Sequence, residues 1–70
     1  MRYKIIAADD ETYQHIVRYL GLHQPGHVKV RLPERRIVSA ENLTVRTIDA
    51  LERFGARVSE EFQYSIDRNG

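Results

Sequence analysis

Apolar and polar residues alternate in four short stretches of this chain and recur every three or four residues in two longer ones. The order of these rhythms predicts β-α-β-β-α-β. Strands are predicted over 2–8, 27–32, 35–40 and 57–66, and helices over 10–20 and 44–54. In the first helix Tyr13, Ile16, Val17 and Leu20 fall at i, i+3, i+4 and i+7, one apolar stripe. Asp9 or Asp10 is placed to cap its free amides, and Glu11 adds favourable charge to the first turn. Gly21 is expected to end the helix in a left-handed C′ position, with Leu22 folding back and Pro25-Gly26 turning the chain. The second helix has Ser39, Asn42 and Thr44 as candidate caps, an inward face of Val45, Ile48, Leu51 and Phe54, and Gly55 as its stop.

Side chains alternate along a strand, so each strand can be divided into two faces. Tyr3, Ile5 and Ala7 should point inward and Lys4, Ile6 and Ala8 outward. Val28, Val30 and Leu32 should oppose His27, Lys29 and Arg31. In the third strand Ile37 is expected to face the helices, which leaves Arg36 and Val38 on the open side. Val58, Phe62, Tyr64 and Ile66 share a face with Glu60, and Ser59, Glu61, Gln63 and Ser65 take the other. The predicted core is Ile5, Ile16, Leu20, Val30, Ile37, Ile48, Leu51 and Phe62. With right-handed crossovers this order gives a single α+β domain over 1–70. It is a ferredoxin-like two-layer sandwich with an antiparallel sheet of order 4-1-3-2, one face covered by helices and the other wet.

Composition narrows what such a domain can do. The chain has 70 residues and no cysteine, which excludes disulfides, thiol catalysis and cysteine-ligated zinc. A core of this size rarely supplies more than about 3–5 kcal/mol, so a partner or self-association is the expected source of further stability. No apolar run approaches the roughly 18 residues of a membrane span, and no secretory leader is recognisable. The expectation is a cytoplasmic protein without membrane contact. The net charge is only +1, but its distribution is uneven. Residues 27–36 carry Lys29, Arg31, Arg35 and Arg36 against Glu34, and residues 59–67 carry Glu60, Glu61 and Asp67 with no base.

Candidate chemistry is sparse. Pro25-Gly26 separates His23 from His27, and His15 lies away from both, so no zinc ligand set is formed. Helix capping accounts for Asp9-Asp10-Glu11. No base accompanies Ser39, Ser59 or Ser65 as nucleophilic catalysis requires, and the glycines are scattered rather than arranged to cradle phosphate. Neither an enzyme nor a cofactor or metal site is expected. The open face remains, with Lys29, Arg31, Arg35 and Arg36 beside Ile6, Val38, Glu61 and Gln63, a plausible patch for a larger protein because arginine is enriched at such interfaces. The open-face positions of its central strands, Lys4, Ile6, Arg36 and Val38, offer no aromatic residue for base stacking, so nucleic acid would be held weakly, through phosphate contacts from the basic hairpin of residues 27–36. The last strand has no Pro or Lys from Val58 to Asp67, and its edge is expected to pair with a partner's strand or with a second copy.

The final strand runs directly into Asp67-Arg68-Asn69-Gly70. In this, in size, in element order and in lacking cysteine, the chain resembles the subtilisin propeptides and the free-standing inhibitors similar to them. The resemblance covers the whole chain in shape and implies a C-terminal tail inserted into a protease cleft. No motif is shared, so no residue role is carried over. The reading favoured by the sequence is a small non-enzymatic interaction module (an inhibitor, adaptor or subunit), with the tail-inserting inhibitor and the nucleic-acid binder as alternatives.

Overall fold

The computed structural model of the chain describes residues 1–61. Its elements are β1 (Arg2–Ile6), α1 (Asp10–His23), β2 (Val28–Leu32), β3 (Ile37–Glu41), α2 (Val45–Arg53) and β4 (Arg57–Glu61), with short 3₁₀ turns at Pro25–His27 and Pro33–Arg35. The strands form one antiparallel sheet in the order β2-β3-β1-β4. Ile16 and Leu20 of α1 and Leu51 of α2 join Ile5, Val38 and Ala40 of the sheet in one core cluster, so both helices cover the same face. The fold is α+β. The part of the predicted last strand beyond Glu61, with Phe62 and Gln63, lies outside the described residues.

Local chemistry explains most of the boundaries. Asp9 caps α1 by accepting the Thr12 N–H at 2.8 Å, and Thr44 caps α2 by accepting the Thr47 N–H at 3.1 Å. Gly55 takes φ +105, and the amides of Gly55 and Ala56 reach the carbonyls of Glu52 and Leu51, the Schellman arrangement that ends α2. Gly21 does not end α1. The helix runs through it to His23 and closes where the Gln24 N–H donates to the Leu20 carbonyl at 2.8 Å, and Leu22 is exposed rather than folded back. Gln24 is itself held from the far side. Its side-chain carbonyl accepts the Thr44 N–H at 3.2 Å, and its amide donates to the Asn42 carbonyl at 3.3 Å. Because Gly21 sits in right-handed helix and a Cβ there would meet nothing within 4 Å, Gly21→Ala should stabilise the domain by about 0.5–1 kcal/mol. A thermal melt that shifts downward instead would show that the glycine is sterically required.

The inward face of α2 also differs from its apolar spacing. With Thr44 as the cap, Val45 begins the helix and is 83% exposed, while Thr47 is buried and its hydroxyl accepts a hydrogen bond from Thr44 Oγ1 at 3.0 Å. Phe54 is 39% exposed and leans edge-on against Tyr19, with ring centroids 5.4 Å apart. Ile48 is half-buried.

The largest departure is in β2 and β3. Arg36 adopts a left-handed conformation, φ 57, closing the Pro33–Arg35 turn, so β3 starts at Ile37. Val38 then pairs with Ile5 and points inward, 1% exposed, while Ile37 pairs with Ile6 on the open side. On the other flank Val28 pairs with Ala40 and Val30 with Ser39, so two residue steps on β2 match one on β3, a β-bulge at Lys29. One inserted residue inverts every later side chain on the strand. Val30, predicted for the core, and Leu32, assigned to the same face, are each 44% exposed on the open face, and Arg31, paired with Val38, lies on the helix side. The strand is fixed at both ends of this irregularity. His27 Nδ1 donates to the Glu41 carbonyl at 2.8 Å, and the Pro33 turn holds the other end.

Candidate functional site: the open sheet face

The registers place three rows of side chains across the open face. At one end lie Leu32, Ile37, Ile6 and Arg57, in the middle Val30, Ser39, Lys4 and Ser59, and at the far end Glu41, Arg2 and Glu61. Directly opposed side chains sit about 4.5–5.5 Å apart at Cβ, so Val30, Leu32, Ile37 and Ile6 form a contiguous aliphatic corner. The far end is polar and internally matched. Arg2 Nη2 donates to Glu41 Oε2 at 3.1 Å, Lys29 Nζ lies 4.0 Å from Glu41 Oε1, and Ser39 Oγ donates to Glu61 Oε1 at 3.2 Å. These pairs are partly exposed and individually weak, and they leave the aliphatic corner as the distinctive surface.

The sequence-derived site residues separate. Ile6, Lys29 and Glu61 stand on the open face as expected. Val38 cannot belong to a surface, because it is buried against Ile5 in the core. Arg31 is turned to the opposite face by the bulge. Arg36 reaches the start of α1, where its Nη1 lies 3.5 Å from Asp10 Oδ1, and its carbonyl accepts the Ala7 N–H at 2.9 Å. Arg35 is exposed in the 3₁₀ turn, and Gln63 lies outside the described residues. The four bases of the hairpin therefore do not share one face. Val30, Leu32 and Ile37 were missed as site residues because strict alternation assigns them inward.

The Asp9-Asp10-Glu11 segment serves the helix start. The Thr12 backbone N–H, then its hydroxyl, holds the Asp9 carboxyl below its ordinary value of 3.8. A lowered folded pKa contributes stability that is present above 3.8 and lost as the pH falls through the folded value. The Asp9→Asn chain keeps a capping acceptor but has no proton to gain. Its melting temperature should therefore fall less than the parent's on acidification below 3.8, and parallel melting curves would exclude this role. Among the described residues no group of three or more His, Asp or Glu is placed to hold a metal, and no helix is long and apolar enough to cross a membrane. Comparison with known proteins finds no matching family model, no similar curated protein and no similar solved structure.

Proposed function

We propose that this chain is a ferredoxin-like, non-enzymatic docking module of the cytoplasm that holds a larger protein on the aliphatic corner of its open sheet face. The sheet order supports the fold assignment, since read from the β4 edge it runs 4-1-3-2. The observation that carries the function is the bulge at Lys29. Without it Val30 and Leu32 would lie inward. With it they join Ile37 and Ile6 in an outward patch beside Lys4 and Arg57. A contiguous exposed apolar patch with a basic rim is characteristic of a protein interface.

The nucleic-acid reading loses support, because Arg31 and Arg36 do not stand with Lys29 on one surface. A test is differential capture from a cell extract by the parent, by the chain carrying Val30→Asp and Leu32→Asp, and by Val45→Asp on the helix layer. Proteins held by the parent and by Val45→Asp should be missing from the doubly substituted chain. Loss on Val45→Asp alone would move the working surface to the helix layer. Loss only on removal of residues 67–70 would establish the tail-inserting inhibitor instead.

A further inference from the structure

β2 is an edge of the sheet, so one side of its backbone has no strand partner among the described residues. The bulge that turns Val30 outward also turns Arg31 to the helix side, level with Val38. There, between β2 and α1, the chain leaves a cavity of about 190 Å³ walled by Val17 and Gly21 of α1 and by residues 28–31 of β2. Gly21 is conformationally unfavourable in mid-helix, and no close neighbour requires it, since a Cβ would meet nothing within 4 Å. Its effect is to keep that wall recessed. The edge beside the cavity is basic, with Lys29, Arg31 and Arg35 against Glu34.

We propose that β2 takes up an extended, acid-bearing segment of the partner protein as a fifth strand, with apolar side chains in the Gly21 cavity and carboxylates on the open side beside Lys29. This rests on the docking-module reading and adds to it the conformation and chemistry of what docks. An added strand presents alternate side chains to the two faces of the sheet. Main-chain hydrogen bonds supply affinity, and the pockets on either side select the sequence. On the helix side its apolar side chains meet the Gly21 cavity, and on the open side its carboxylates run beside Lys29. Acidic residues answer the charge of an edge whose Lys29 has only a 4.0 Å contact with Glu41.

The probes are two short synthetic peptides, one alternating valine with glutamate and the other valine with lysine, titrated into the full chain and followed by amide shifts and hydrogen exchange. The glutamate peptide should bind, protect amides of Val28–Leu32 from exchange and weaken with salt, and the lysine peptide should not bind. Gly21→Leu, which fills the cavity from the helix, should raise the melting temperature yet weaken the glutamate peptide roughly tenfold or more, as expected when an anchor pocket is closed. Gly21→Ala should raise the melting temperature and leave binding intact. Lys29→Glu should shift the preference toward the lysine peptide. The proposal is overturned if the glutamate peptide leaves β2 unprotected, if it binds Gly21→Leu as tightly as the parent, or if a second copy of the chain occupies β2 and excludes it. Binding lost with Val30→Asp and Leu32→Asp but kept with Gly21→Leu overturns strand addition and leaves open-face docking standing. Failure of open-face docking is read separately, in the capture experiment with the same doubly substituted chain.

Discussion

Leu51→Ala and Ile16→Ala should each unfold most of this domain. Both side chains are fully buried and belong to the single core cluster that joins the helices to Ile5, Val38 and Ala40. Truncating a buried Leu or Ile to Ala costs about 2–5 kcal/mol, the spread reflecting how far the site collapses around the void. Domains carry roughly 0.05–0.15 kcal/mol of net stability per residue, so one such loss is comparable to the whole margin of a chain this short. Where a folded population survives, its melting temperature should drop by more than about 10 °C, because each kcal/mol shifts a domain of this size by about 4–8 °C. Val45→Ala is the control, since Val45 is exposed and alanine is the better helix former. Circular dichroism melts of the three variants decide it. A Leu51→Ala or Ile16→Ala melt within about 2 °C of the parent would show that the helix faces are misassigned, on the same scale.

The helix caps and the order of elements were legible in the sequence because their causes are local. Asp9 and Thr44 each lie three residues before the amide they cap, and Gly55 is a residue that adopts positive φ freely. The tyrosine-to-leucine stripe of α1 needs only helical spacing, and Tyr13, Ile16 and Leu20 are buried as it requires. Gly21 misleads because the C′ preference for glycine is local, whereas the helix is extended by Gln24, which is tied across the molecule to Asn42 and Thr44. Strand faces failed for a different reason. Alternation reveals which residues share a face, not which face is inward, and in Ile37-Val38-Ser39-Ala40 either assignment buries an aliphatic residue. The left-handed Arg36 and the bulge at Lys29 resolve that choice, and neither is marked by glycine, asparagine or proline at the position itself. So three of the eight candidate residues stand on the open face as read. Ile6, Lys29 and Glu61 lie on strands, or on the part of a strand, whose phase was read correctly. Val38, Arg31 and Arg36 depended on the phase that the turn and bulge inverted.

That inversion gives the sharpest test of the sheet. Val38→Lys should unfold the domain, whereas Val30→Lys should leave its stability within about 0.5 kcal/mol of the parent, the usual range for surface changes. Val38 is 1% exposed between Ile5 and the helix layer, and its neighbour across the ladder on β2 is Arg31. An ammonium at position 38 would therefore lose its water and meet a second positive charge. An uncompensated buried charge costs about 3–5 kcal/mol. Aspartate would be a poorer probe, because Arg31 could partly neutralise it. Val30 stands on the open face opposite Ser39, where a lysine extends into solvent beside no cation on β3. Unbroken alternation along β2, with Ile37 inward, predicts the reverse, a tolerated Val38→Lys and a disrupted Val30→Lys. Chemical denaturation of the two variants thus separates the two sheets by the sign of their difference. Unfolding of Val30→Lys with retention of Val38→Lys would remove the bulge, the aliphatic corner and the docking surface built on it.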